Sequence, residues 1–286
     1  MTKLPFQRSA FAQNLVARGL IGLALALPYR LRVPLMGWVL RRIIGPVAGY
    51  SKRACENLAL IWPDMPQEDR SKIAMQSLDN AGRTLIENYS KTFTKRQARL
   101  TPTGAGLAAL DAAKAEGRPV ILVSGHFGNY EAARACLVAR GFRIGGLYRP
   151  MTNPYFNAHY IRTMEAFGGP VFPQGRAGTA GFVKHLKAGG MLVLLFDQRA
   201  AGEDISFLGH PAKTALSAAE LALRYNAELI PFYATRQPDG ISFEVEMEAP
   251  IAKGSALEMT TALSHSLEAR VRSRPEQWFW VHRRWA

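Results

Sequence analysis

From residue 119 onward, short apolar runs bounded by glycine or proline alternate with stretches of helical periodicity: 119–124, 129–140, 143–148, 155–167, 178–188, 191–196, 214–226 and 228–234. That alternation predicts an α/β fold, a sheet with covering helices. Residues 241–248, Ile-Ser-Phe-Glu-Val-Glu-Met-Glu, alternate strictly and read as a half-exposed strand. Upstream, Pro63-Asp64-Met65-Pro66 is a turn, and Gln67 to Tyr89 carries Ile73, Ala74, Leu78, Ala81, Leu85 and Ile86 at the spacing of a long amphipathic helix. With 286 residues, 48% hydrophobic and 20% charged, the chain can bury a full core, and it shows no internal repeat or low-complexity linker. The reading is one globular domain, 51–286, behind a smaller leading segment, 1–50. Cys55 and Cys136 lack CxxC spacing, are too few for a disulfide scaffold, and fit a reducing compartment.

The leading segment is set apart by charge. Net charge is +14, and nine cations (Lys3, Arg8, Arg18, Arg30, Arg32, Arg41, Arg42, Lys52, Arg53) precede the first acid, Glu56. Such an arm is drawn to a polyanionic surface. Between the cations lie Gly19 to Leu27 and Val33 to Leu40, rich in Leu, Ile and Trp, where a nucleic-acid arm would be polar. A helical segment lying at a membrane interface is therefore expected, and nucleic acid is not. The uncharged stretch from Arg18 to Arg30 is 11 residues, short of the roughly 20 that span a bilayer. Pro28-Tyr29-Arg30 stands where a signal peptide would need a small-residue cleavage site. The alternative is a helical hairpin packed on its own domain.

Chemistry concentrates where the run Pro119 to Ser124 opens into Gly125-His126-Phe127-Gly128-Asn129-Tyr130-Glu131. The carboxyl ends of strands in α/β sheets are where loops hold reactive groups. Asn129 is a candidate N-cap, which sets Glu131 in the first helical turn, while Gly125 and Gly128 permit a tight turn. On a continuous helix His126 and Glu131 would lie about 140° apart, so they can pair only with His126 outside it. A carboxylate on one imidazole nitrogen fixes the tautomer and leaves the other nitrogen as a base. No serine or cysteine elbow accompanies the pair, so direct deprotonation of a substrate hydroxyl is the economical reading. Two others stay open, a purely structural pair and a metal site, although neither HExxH nor a clustered third ligand is present. The histidines at 159, 185, 210, 265 and 282 read as isolated local groups.

The heptapeptide resembles the H-x4-D/E motif of the lysophospholipid acyltransferase superfamily, specifically its lipid A late acyltransferase branch. Four further blocks fall in that family's order: Asn57-Leu58 to Trp62-Pro63; Leu147-Tyr148-Arg149-Pro150 with Asn153-Pro154; Phe196-Asp197-Gln198-Arg199 with Phe207 to Thr214; and Pro275 to Trp285. The resemblance spans roughly residues 50 to 285. It implies a glycerolipid acyltransferase-like fold with a central mixed, largely parallel sheet. It also implies transfer of a fatty acyl chain from an acyl carrier protein thioester to a hydroxyl of a lipid A precursor, with no other cofactor and no metal. His126 would be the general base and Glu131 its orienting partner. Arg149 would bind an acceptor phosphate or brace the site, and Asp197, Gln198 and Arg199 match a block of less defined role. Asp197 could organise Arg149 or Arg199.

Backbone N–H groups at Gly128 and Asn129 are candidate oxyanion donors. Thr214 reads as an N-cap and Ser217/Glu220 as a capping box. The terminal WFWVHRRW run suits an interfacial belt or a core strand with an exposed end. The cations at 270, 272, 274, 283 and 284 add to a field that would attract an acidic carrier and an anionic lipid at the cytoplasmic face of an inner membrane. Rival readings are an acyltransferase for another lipid acceptor (a lysophospholipid, glycolipid or aminolipid) and a non-catalytic membrane-binding protein.

Overall fold

The computed structural model describes residues 7–285, save the side chains of Arg176 and Ala177; Lys3, among the leading cations, lies outside them. Helices α1 (Arg8–Ala26) and α2 (Tyr29–Val39) lead through a π-helical turn (Leu40–Ile44) into α3 (Gly45–Val47), α4 (Tyr50–Ile61), α5 (Gln67–Glu87), α6 (Lys91–Gln97) and α7 (Gly106–Glu116). Then β1 (Val120–Ser124), α8 (Tyr130–Ala139), β2 (Ile144–Tyr148), α9 (Pro154–Glu165), β3 (Val171–Pro173), α10 (Arg176–Lys187) and β4 (Met191–Leu195) alternate. A hairpin, β5 (Glu203–Phe207) and β6 (His210–Thr214), precedes α11 (Ser217–Tyr225), β7 (Glu228–Arg236), β8 (Phe243–Met247), α12 (Ala256–Ser273) and a 3₁₀ turn at Pro275–Gln277.

Six strands form one sheet in the order β3-β2-β4-β1-β7-β8, parallel throughout except for the antiparallel β8. The α/β reading thus holds, with helices on both faces. Successive residues of β1 point to opposite faces. Val120 and Leu122 pack with Ala132, Ala133 and Phe232, whereas Ile121 and Val123 pack with Phe182, Leu186, Ala219 and Leu263. Being covered on both sides is why the strand reads as an unbroken apolar run.

Three local expectations fail. The helical stretch at 214–226 begins only at Ser217, because Thr214 closes β6 and its hydroxyl accepts a hydrogen bond from Arg284 Nη2 at 2.7 Å. The residue preceding α11 is Leu216, without a side-chain cap, and the Ser217/Glu220 box does not form. A capping box does open α12, from Ser255 and Glu258. The terminal aromatic run is neither a strand nor an exposed belt: Trp278 and Trp280 are fully buried in an irregular strap. Asn57 on α4 holds that strap by donating to Trp280 O at 2.7 Å and His282 O at 2.9 Å.

The leading helices divide. α2 lies across α5, where Gly82 is required because a Cβ there would sit 2.3 Å from Met36 O. Tyr29 and Val33 thereby enter the main core cluster. By contrast, α1 leaves Leu15, Val16, Leu20 and Leu23 exposed while touching α9, Asn153 Nδ2 donating to Ala10 O at 2.7 Å. Among the described residues it is the one helix long and apolar enough to cross a membrane, with a mean hydropathy of 1.3.

Candidate active site

Strands β1 and β4 are parallel neighbours in a register that pairs Ser124 with Leu195. Two residues further along each, at the carboxyl edge of the sheet, stand His126 and Asp197. The imidazole Nδ1 lies 2.7 Å from Asp197 Oδ1, while Asp197 Oδ2 accepts from the His126 backbone N–H at 2.7 Å and from Trp278 Nε1 at 2.8 Å. Gly125 permits this approach, since a Cβ there would meet Asp197 Oδ2 at 2.9 Å and Leu267 at 2.7 Å. Burial alone would raise the Asp197 pKa, but the charge and hydrogen bonds of His126, with His282 nearby, hold it well below the ordinary carboxylate range. An ionised carboxylate has only acceptors to offer, so in the neutral imidazole Nδ1 carries the proton and Nε2 keeps the lone pair.

This corrects the expected pairing. The carboxylate on the His126 ring belongs to Asp197, not Glu131. Asn129 does cap α8, its Oδ1 accepting from the Glu131 N–H at 3.2 Å, but the Glu131 carboxylate, itself buried, pairs with buried Arg134 at 3.3 Å. One turn along the same helix is a shorter reach than back over the turn to His126. Burial raises the Glu131 pKa against the pull of Arg134.

The expected link from Asp197 to Arg149 or Arg199 gives way in the same manner, its oxygens being committed to His126 and Trp278. Nor are the proposed oxyanion donors at hand. Gly128 N–H donates to Gln277 O at 2.9 Å and Asn129 N–H to Ala234 O at 3.1 Å. Gly128 itself sits at φ 55°, where a Cβ would fall 2.0 Å from Ala234 O. The Asn129 side chain is buried and donates to Glu87 Oε2 at 3.0 Å, and Glu87 in turn holds Arg236 in a bidentate pair at 2.7 and 2.8 Å. Asn129 and Gly128 are thus fixed as supports of the loop.

His126 lines two cavities. One, about 240 Å³, lies under the ends of β2 and β4 against Glu131, Arg134, Tyr160 and Met164, with exposed Arg149 and Gln198 also on its wall. The other, about 280 Å³, follows α5 and is largely apolar, bounded by Ala81, Leu85, Tyr89, Met151 and Phe279. Tyr130 and Tyr160 border both. Gln198 Nε2 lies 3.5 Å from His126 Nε2. Arg199, also exposed, is absent from the walls of both cavities.

His282, read from the sequence as an isolated group, is also here. Its ring is 4.5 Å from that of His126, edge to face, and its Nε2 is buried without a hydrogen-bond partner. Burial, then the neighbouring His126, and more weakly Arg284, lower its pKa to about 4 against the opposing pull of Asp197. It is accordingly neutral near pH 7. His126, Asp197 and His282 are the described residues that could hold a metal ion, their donor atoms lying within 4.8 Å of one another. Doing so would disturb a carboxylate already accepting three hydrogen bonds.

Residues 8–286 match the family described as bacterial lipid A biosynthesis acyltransferase. The chain belongs to that family. This acyltransferase is 28% identical over 241 residues to a lipid A biosynthesis lauroyltransferase of Escherichia coli (strain K12), covering 80% of this chain and 76% of the relative. It is 24% identical over 265 residues to a lipid A biosynthesis acyltransferase of Haemophilus influenzae (89% and 81% covered), and 24% identical over 238 residues to a phosphatidylinositol mannoside acyltransferase of Mycobacterium tuberculosis (80% and 75%). The motif blocks of the acyltransferase converge on one place. Asn57 and Trp278 brace the strap and the carboxylate, β1 and β4 present His126 and Asp197, and the segment after β2 presents Arg149.

Proposed function

We propose that the protein moves a fatty acyl chain from an acyl carrier protein thioester to a hydroxyl of a lipid A precursor, at the cytoplasmic face of the inner membrane. The observation that carries the reading is a histidine with one nitrogen fixed by a buried carboxylate and the ring between two cavities, room for a donor and an acceptor on either side of one base. His126 Nε2 takes the proton of the acceptor hydroxyl as its oxygen attacks the thioester carbonyl. Asp197 stabilises the imidazolium that results. When the tetrahedral intermediate collapses, the C–S bond breaks and the departing thiolate takes the proton back from Nε2. Gln198, whose amide lies 3.5 Å from the same nitrogen, supplies a side-chain donor for the transient oxyanion. Glu131 keeps Arg134 in place along the cavity wall.

Acyl transfer needs no metal in this scheme, because the proton movements balance on the imidazole. The exposed apolar face of α1 and the excess of cations support residence at an anionic membrane surface. The mannoside acyltransferase among the relatives makes the acceptor the point to test. Purified full-length protein is incubated with mixed acyl carrier protein thioesters and a tetra-acylated lipid A precursor, with His126→Ala alongside. A mass gain of one acyl chain that depends on His126 is the expected result. No gain with folded wild-type protein, but a gain on a mannosylated or lysophospholipid acceptor, moves the assignment to that lipid.

A further inference from the structure

Several of the cations are internally engaged. Arg270 pairs with Glu246 and Glu248, Arg284 is buried against Lys213 O and Thr214, and Arg236 is neutralised by Glu87. Two that are not so engaged line a concavity of about 580 Å³, bounded by α2, α5, the β7–β8 turn and the 3₁₀ turn after α12. Four guanidinium groups line it: Arg41, Arg83, Arg236 and Arg274. Two carboxylates line it as well, Asp79, which is paired with Arg83, and Glu276, so the cations still outnumber the acids. Arg41 and Arg274 have no carboxylate partner among the described residues, and Arg41 Nε is buried without any hydrogen-bond partner. A buried donor without an acceptor is costly in the free protein and is satisfied when an anion enters.

Two further features narrow the anion. The rim is apolar on one side: Trp38 lines the concavity, and Leu31, Leu35, Ile43 and Val47 beyond it are all exposed. The other side abuts the candidate active site. Asn80 lines both this concavity and the apolar cavity at His126, its Oδ1 accepting from Arg236 Nε at 2.7 Å and its Nδ2 donating to Gly128 O at 3.3 Å. A small anion with hydrocarbon attached fits a concave cationic basin beside a greasy ledge better than the convex acidic face of a carrier protein does.

We propose that this basin binds the phosphate monoester of a lipid headgroup, Arg41 and Arg274 matching its double charge while the lipid's chains lie along the exposed face of α2. The site is separate from Arg149, which lines the other cavity at His126. It deepens the acyltransferase reading by naming where a phosphorylated lipid is held, but binding is measurable without turnover, so the two can fail independently.

The experiment is co-sedimentation of the full-length protein with phosphatidylcholine vesicles that contain either phosphatidic acid (a monoester) or phosphatidylglycerol (a diester). Arg41→Gln/Arg274→Gln is compared with Arg30→Gln/Arg42→Gln, which removes the same charge elsewhere. The first pair is expected to weaken binding to the monoester vesicles about tenfold or more, with a smaller loss on the diester and a smaller loss again in the control pair. Inorganic phosphate at high concentration should compete less well than soluble short-chain phosphatidic acid. Equal losses on both vesicles, equal losses in both variants, or loss of acyl carrier protein binding with vesicle binding intact would overturn the proposal.

Discussion

Two buried carboxylates lie within the same cluster of motifs, Asp197 beyond β4 and Glu131 in the first turn of α8, and their surroundings push them in opposite directions. Burial disfavours the charge of both. Asp197 accepts from the His126 ring, the His126 backbone and the Trp278 indole and stays ionised, whereas Glu131 has one guanidinium at 3.3 Å and is raised. The difference lies in neighbouring charge and hydrogen bonds, not depth. It separates a carboxylate arranged to hold charge beside an imidazole from one arranged to hold a neighbouring side chain in place.

The largest effect should come from His126 and its carboxylate. His126→Ala is expected to lower kcat by about 10³-fold or more while the protein stays folded. Asp197→Asn should cost nearly as much, about 10²–10³-fold, for a reason particular to this geometry. The two N–H donors at Oδ2 select the amide orientation that puts its oxygen there. The NH₂ then faces His126 Nδ1, which must become the acceptor, and the proton moves to Nε2 where the lone pair is needed. Single-turnover acyl transfer with both variants, checked by circular dichroism, tests this. Activity of Asp197→Asn within a few-fold of wild type would remove Asp197 from the orienting role.

Glu131→Gln should cost less, roughly tenfold in kcat/KM, because glutamine still offers Arg134 an acceptor. The loss should come with a lower melting temperature, since Arg134 then keeps its charge in a buried place without a counter-charge. The pH dependence of the rate should remain that of the wild type, whereas Asp197→Asn alters it. A Glu131→Gln enzyme with a shifted pH profile and unchanged stability would instead put Glu131 back in contact with the base.

The strands and most helices of the α/β core were legible because burial on both faces writes itself as apolar runs, and β1 and β4 fell where expected. β3 is three residues long and the β5–β6 hairpin carries Pro211 and an alternation of charged positions, so neither stands out by periodicity. In the site, His126 was legible from its motif, and the Asn129 cap with it. The partner of His126 was not, because adjacency in a sheet depends on strand order, and β4 lies beside β1 although β2 and β3 intervene in sequence. Once two strands are known to be parallel neighbours, a polar residue two places past the end of each is a signal for a pair. His282 had no such signal. It reaches the site through an irregular strap whose path is set by Asn57, Ser77 and the packing of Trp278 and Trp280.

The smallest effect concerns that histidine, and it extends the comparison from carboxylates to imidazoles. His282 in the fold has a pKa of about 4, below the ordinary 6.5, because burial and the neighbouring His126 disfavour its charged form more than Asp197 favours it. Between those values the unfolded chain binds a proton that the folded chain does not. Stability from this group is therefore complete above about pH 6.5 and is lost progressively as pH falls toward 4, by on the order of 1–3 kcal/mol. The loss tied to Asp197 is distinct, since a carboxylate with a lowered pKa gives up its contribution only below its ordinary value of 3.8. Melting temperatures measured from pH 7 to 4.5 should fall by a few degrees in the wild type and more gently in His282→Gln, which has nothing to protonate. If the two curves run parallel, His282 takes no proton on unfolding, and the neutral wedge beside His126 is not the state the folded protein maintains.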